Sequence, residues 1–391
     1  MTAQEIGCSQ IVDLLRLHGE QTRNELATRC GLSRSAVNGR LDTLIKTGLI
    51  TESTGSAQTK GRPADHFRFN PDRGRVLCAD VGVTQASVGI CDLGSTIISR
   101  TVLDIDTTRD PHIIMEELAD KFDELLAAEG MTADEISGIG IGIPAPVKAG
   151  AGFSVKPPIM PAWNGFDVPA WLSSRYSAPV VLEKDANVMA YGETRVNFPE
   201  ASHLMLVKIG TGIGSGSVIG GRLFRGTDGA AGDLGHIHLD TLTTEESGPL
   251  CKCGNRGCLE AYAGGWALLR DLQNSGIDVT SHDDLIQLIN TGNPHALEAI
   301  RRAGRLIGGA IATAINLMNP EIVVIGGRLV NAGGDLLFAG IREMVYRRSL
   351  PLATSSLRIE QSTLYPTGGM VGLSALVVDA ITSPTHIGQL L

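Results

Sequence analysis

Two glycine-rich turns constrain this chain more than any other feature. Asp80-Val-Gly-Val-Thr84 follows the largely apolar run Arg75–Ala79, and Gly210-Thr-Gly-Ile-Gly-Ser-Gly216 follows the run Leu204–Ile209. A short apolar run that stops in glycines reads as a buried strand whose end meets a close neighbour. Ala86–Cys91, Ile136–Ile143, Val180–Leu182 and Ile322–Ile325 read as further strands, the last ending in Gly326-Gly327. Helical patterns over Pro111–Glu129 and Ala296–Asn316 intervene. Strands alternating with helices predict an α/β body with ligands at the strand ends. Glycine supplies 48 of the 391 residues, against a usual share of roughly 7%, and its clustering in these turns excludes low complexity.

The length calls for two or three domains. No apolar stretch spans a membrane: Gly308–Gly327 is interrupted by Asn316, Asn319, Pro320 and Glu321. The N-terminus lacks a basic segment followed by an apolar one and carries Glu5 and Asp13 early, so no export signal is visible. A cytoplasmic protein is expected, and its seven cysteines then point to thiols or a metal rather than disulfides. A net charge of -9 argues against nucleic acid for the chain as a whole. Residues 1–70, however, hold nine Lys/Arg against seven Asp/Glu, leaving the remainder at 24 against 35. A mildly basic head on an acidic body fits DNA contact by the head alone.

The head carries a consistent set of local signals. A first helix is predicted from about Gln4 to Leu17. Thr22 caps a second, with Glu25 completing a capping box, and Cys30-Gly31 ends it. Ser33 caps a third, in which Val37, Leu41, Leu44 and Ile45 form one apolar stripe. Two short helices around a tight turn make a helix-turn-helix, whose recognition helix reads base edges from its N-terminal end. Ser33, Arg34, Ser35, Asn38 and Arg40 are the DNA-binding candidates there. Two short strands around Lys60-Gly61-Arg62-Pro63 would form a basic wing, with Lys60 and Arg62 reaching the duplex. A three-helix dimerisation module is the competing reading.

In the body, backbone N–H groups in the glycine turns can cradle phosphate, which nominates Asp80, Gly82, Thr84, Gly210, Thr211, Gly212 and Gly214, with Gly326 and Gly327 at a third strand end. Cys251, Cys253 and Cys258 are spaced C-x-C-x4-C on a glycine-rich loop, a pattern suited to a closed, structural zinc site. His236 is the candidate fourth ligand and His238 the second choice. The alternative is reduced, unliganded thiols.

These strings, in this order, resemble the ROK family of bacterial repressors and sugar kinases. GTGIGSG at Gly210–Gly216, GDLGH ending at Asp233–His236 and CKCGNRGCLE at Cys251–Glu260 carry the likeness, which covers almost the whole chain. The resemblance implies a winged helix at 1–71 followed by a two-lobed, actin-like ATPase fold of the sugar-kinase type. Its first lobe would span 72–186, completed by the C-terminal helix at about 370–391, and its second lobe 187–369. In the family's kinases an aspartate takes the proton from the sugar hydroxyl that attacks ATP, and Asp185 stands at that position. Sugar contacts carried over are Lys184, Asp185, Asp233, His236 and Glu260.

Three departures matter. Val83 replaces a glycine of the first phosphate turn. Lys184 replaces an asparagine and, if it reached Asp185, would make that carboxylate a poorer base, although strand neighbours point to opposite faces. Asp233 is one methylene shorter than the family glutamate. The sugar site therefore reads as kept and the phosphate site and base Asp185 as vestigial. The expected protein is a sugar-responsive repressor, a homodimer or tetramer on pseudo-palindromic double-stranded DNA, with a sugar or sugar phosphate as effector and zinc as its structural metal. The alternative is an active sugar kinase with an autoregulatory DNA-binding head.

Overall fold

A computed structural model describes residues 1–54, 65–239 and 248–391. The head contains α1 (Ala3–His18), β1 (Gln21–Thr22), α2 (Arg23–Cys30), α3 (Arg34–Lys46), β2 (Ile50–Thr54) and β3 (Asp65–Phe69). Local chemistry sets the helix starts. Thr22 and Glu25 form the reciprocal capping box of α2, and Ser33 Oγ accepts the Ala36 N–H to open α3. Val37, Leu41 and Leu44 of α3 pack with Ile11, Leu15, Leu26 and Phe67 into a core of the head's own. The strands pair in the order β1-β3-β2, so a winged helix is present, and the expected wing residues Lys60 and Arg62 lie outside the described residues.

The body begins with β4 (Arg75–Val81), β5 (Gln85–Asp92), β6 (Ile97–Asp104), α4 (Pro111–Ala128), β7 (Ile136–Ile143), α5 (Val168–Ser173), β8 (Val180–Lys184) and α6 (Asp185–Val196). It continues with β9 (His203–Ile209), β10 (Ile213–Ile219), β11 (Arg222–Leu223), α7 (Leu259–Ala263), α8 (Gly265–Asn274), α9 (His282–Asn290), α10 (Pro294–Met318) and β12 (Ile322–Gly326). It closes with α11 (Arg328–Arg348), α12 (Pro351–Thr354), β13 (Arg358–Gln361) and α13 (Gly368–Ile381).

The two body sheets repeat one topology. The first runs β6-β5-β4-β7-β8 and the second β11-β10-β9-β12-β13. In each, the first strand in sequence pairs antiparallel with the next and parallel with the fourth, which pairs parallel with the fifth. Each sheet has its own buried apolar cluster. A third cluster joins them through α6 and α13, where Val188 and Ala190 meet Leu373 and Val377. α13 lies on β4 and β7 of the first sheet. The residues beyond it leave the body, and Ile387 is fully buried in the core of the head. No described helix is long and apolar enough to cross a membrane.

Candidate functional site: a cleft between two lobes

The C-terminal ends of β4, β8, β9 and β12 converge on one cleft of about 320 Å³. Its walls include Asp80, Gly82, Val83 and Thr84 from the first turn, and Gly210, Thr211, Gly212 and Gly214 from the second. Lys184, Asp185, Asp233, His236, Glu260 and Gly327 line it too. The sugar and phosphate candidates thus meet in one place, apart from Gly326, which lies beneath the lining with Ser362 and Met189 against it.

Asp185, Asp233 and Glu260 each have a fixed partner. Asp185 is the first residue of α6. Its Oδ1 accepts the Ala186 N–H at 2.6 Å and its Oδ2 the Lys208 ammonium at 2.6 Å. Lys184 does not reach Asp185. It is almost fully buried and donates to the Ala231 carbonyl at 2.7 Å and to Asp233 Oδ1 at 3.1 Å. Lys184 ends β8 and Asp185 opens α6, and the two side chains take separate partners. The cation beside Asp185 is therefore Lys208, which sequence reasoning missed. Its signal was present, since it is the only charged residue in the run Leu204–Ile209 before the second glycine turn.

Asp80 sits deeper. Burial pushes its carboxyl up to about 6, with Lys208 opposing and Asp185 adding to the rise, and its Oδ1 has no hydrogen-bond partner. Burial pulls the Lys208 ammonium down, but Asp185 and Asp80 outweigh it and hold it charged.

Glu260 Oε2 accepts the Ile213 N–H at 2.9 Å and Oε1 the Trp266 indole N–H at 3.2 Å. This fixes the carboxylate against the second turn and explains Gly212, where a Cβ would lie 2.3 Å from Oε2. Gly214, expected in that turn, belongs to β10, which pairs with β9 from Ile213 onward. Gly327 (φ +109) packs against the Ile209 carbonyl, leaving no room for a side chain.

Behind the cleft, His236 Nδ1 and the sulfurs of Cys251, Cys253 and Cys258 all lie within 4.8 Å of one another. Cys253 and Cys258 Sγ are 3.7 Å apart, as are Cys251 Sγ and His236 Nδ1. Metal–sulfur bonds of ~2.3 Å at tetrahedral angles give edges of ~3.8 Å, so the donor set fits zinc. Burial pushes the Cys251 thiol up to about 11 and Cys258 further, so metal binding must displace protons. His238 stands outside this group, its ring against Gly257. With Nδ1 facing the thiols, His236 keeps Nε2 for the cleft that it also lines.

On the head, Arg34, Ser35 and Asn38 are exposed along the first turns of α3, while Ser33 serves as its cap. Asn38 Oδ1 accepts from Arg23, which also pairs with Glu52 and Asp65 and stacks over Phe67. Arg40 departs from expectation. Its guanidinium turns back to the Ala36 and Ala3 carbonyls, tying α3 to α1 instead of facing outward.

A winged helix fused to a duplicated two-lobed body whose strand ends meet in one cleft defines a DNA-binding regulator with a ligand-sized site. The winged helix-turn-helix DNA-binding profile matches residues 9–51, and the ROK family profile matches residues 76–380. The chain belongs to the ROK family. It is 29% identical over 360 residues to the xylose repressor of Bacillus spizizenii, covering 92% of this chain and 91% of that one. The crystal structure of a ROK family transcriptional regulator, a homolog of the E. coli MLC protein, superposes with a TM-score of 0.84 at 26% identity, over 99% of this chain and 98% of that one. A ROK family glucokinase from Streptomyces griseus, in complex with glucose and AMPPNP, matches at a TM-score of 0.66 and 26% identity, over 78% of this chain and 99% of that one.

Proposed function

We propose that this protein is a sugar-responsive transcriptional repressor whose cleft binds a monosaccharide without phosphorylating it. The observation that carries the reading is the joining of a winged helix to a cleft that gathers Asp185, Asp233, His236 and Glu260 while committing Asp185 to Lys208. Hydroxyl groups find acceptors on the three carboxylates and a donor at His236 Nε2 once a metal occupies Nδ1. A general base needs a free oxygen near the reacting hydroxyl, and both oxygens of Asp185 are engaged. Val83 adds a branched side chain to the first turn, against phosphate. The relatives make a pentose such as xylose the first sugar to try.

Zinc on His236, Cys251, Cys253 and Cys258 is structural in this reading, stiffening the segment between Asp233 and Glu260. DNA contact falls to Arg34, Ser35 and Asn38 with the wing residues Lys60 and Arg62. Two copies, each presenting one head to half of a pseudo-palindrome, supply the contacts one helix-turn-helix lacks. The protein acts in the cytoplasm.

The test selects genomic fragments on the purified protein and then challenges the complexes with pentoses, hexoses and amino sugars. Sugar-dependent change in DNA affinity supports the reading. Turnover near one per second with ATP on any sugar, typical of a competent kinase, would favour the kinase alternative that the shared body of the glucokinase raises.

A further inference from the structure

Lys208 has no role in the sugar contacts above, yet it stands at the electrostatic centre of the cleft. Its ammonium is 2.6 Å from Asp185 Oδ2, on the last turn-facing position of β9, and shares the cleft with Asp80. Asp80 is carried by β4 and its carboxylate packs against Gly369, where a Cβ would lie 1.9 Å from Oδ2. Two carboxylates converging on one cleft are what a magnesium–nucleotide complex uses, since magnesium takes one or two carboxylates together with phosphate oxygens and water. Lysine delivers a compact point charge on a tether and needs no phosphate to complete it.

We propose that Lys208 is a resident cation, paired with Asp185 and sharing its cleft with Asp80, that excludes a divalent metal, and with it the metal–nucleotide complex, from the cleft. The residues present therefore do not fit magnesium while Lys208 is there. The mutual charge effects agree: Lys208 stays protonated because of both aspartates, and Asp80 is opposed in its rise by Lys208. The inference rests on the reading of the cleft as a sensor, and it names the side chain that keeps the metal of a metal–nucleotide complex out.

The experiment titrates manganese(II), followed by the water-proton relaxation of the bound ion, into the full chain with its zinc site filled. It is run at pH 8, so that Asp80 is ionised. Wild type and Lys208→Arg should bind no manganese in the cleft below millimolar concentration. Lys208→Thr should bind it at least tenfold more tightly, and adding Asp185→Asn should remove the gain. Lys208→Gln gives the same comparison where threonine disturbs folding, which far-UV circular dichroism checks. A folded Lys208→Thr or Lys208→Gln protein with no gain overturns the proposal. So does wild-type manganese binding that Asp185→Asn abolishes. Calorimetric sugar binding and a coupled kinase assay on wild type report separately on the sensor reading, so either idea can fail alone.

Discussion

Removing the carboxylate of Asp379 should loosen the head from the body. Asp379 lies near the end of α13. Its Oδ1 accepts from Arg16 of α1 at 2.5 Å, and its Oδ2 from Arg195 of α6 at 2.7 Å and from the Tyr191 hydroxyl. The side chains are largely covered, at 10% exposure for Arg16, 21% for Arg195 and 26% for Asp379. Burial alone would raise the Asp379 carboxyl, but Arg16 and Arg195 outweigh it and hold it below the ordinary range. Asp379→Ala leaves two guanidinium groups without their ion-pair partner, with Asp13 the remaining acid nearby. Breaking a fully buried pair costs roughly 3–5 kcal/mol, and the partial exposure here lowers that to about 2–4 kcal/mol. The head and the body keep their own cores, so the loss falls on the seam. Ile387 still plugs the head core, a contact worth roughly 2–3 kcal/mol. The docking equilibrium should therefore weaken by roughly 30- to 1,000-fold without full separation.

Differential scanning calorimetry should resolve an earlier transition for the head, and limited proteolysis should cut near residues 70–74. Because the folded pKa is depressed, the stabilisation is present above the ordinary carboxylate range and lost as pH falls through the folded value, so wild type should approach the variant only in acid. A single unchanged transition at neutral pH, with sugar response of DNA binding intact, would refute the account of the seam.

Four further outcomes follow. Arg34→Ala and Asn38→Ala should each lower specific operator affinity by about 1–3 kcal/mol with little effect on random DNA, whereas Arg40→Ala should mainly lower the melting temperature of the head, measured by fluorescence anisotropy and calorimetry. Cys253→Ser should reduce zinc from about one ion per chain in elemental analysis and weaken sugar binding through His236 and Glu260. Gly212→Ala should displace Glu260 and lower sugar affinity at least tenfold by calorimetry, since its Cβ would lie 2.3 Å from that carboxylate. Asp80→Asn should change the pH dependence of stability. With a folded pKa of about 6 against an ordinary value of 3.8, the native state holds the extra proton between these values, so wild-type stability falls as pH rises through that window. The variant should lack this slope, a difference of about 2 kcal/mol allowing for part of the residue opening to the cleft.

The head was legible because its signals are local. Thr22 with Glu25 and Ser33 with Ala36 act within one turn, and the buried stripe Val37, Leu41, Leu44 repeats at helical spacing. The strands that feed the cleft were legible because burial on both faces makes them continuous apolar runs. β6 was not, since its exposure alternates residue by residue at the sheet edge, and neither was the short polar edge strand β13. Reading GTGIGSG as one turn failed at Gly214 and Gly216, which continue a strand under Ala186 of α6. Arg40 lies off the apolar stripe, yet its long side chain folds back to Ala3, a choice that helical spacing does not encode. The partnership of Lys208 with Asp185 spans 23 positions and depends on the packing of β9 beside α6.

That packing also supplies a route from sugar to DNA. α6 starts with Asp185 in the cleft and carries Tyr191 and Arg195 to Asp379. α13 starts with Gly368 and Gly369 against Asp80 and carries Asp379 to Arg16 of the head. The two helices pack so closely that a Cβ on Gly372 would lie 1.8 Å from the Val188 carbonyl. At this distance one helix cannot slide without moving the other, so in the proposed sensor closure of the cleft around a sugar would be felt at Arg16 as a shift of Asp379. A kinase uses lobe closure to expel water from a reacting phosphate. In the proposed sensor the same motion would have its output at the far ends of α6 and α13. The coupling energy is bounded by the difference in sugar affinity between the two head positions. Asp379→Ala should therefore leave sugar affinity within a few-fold of wild type while abolishing the effect of sugar on operator binding.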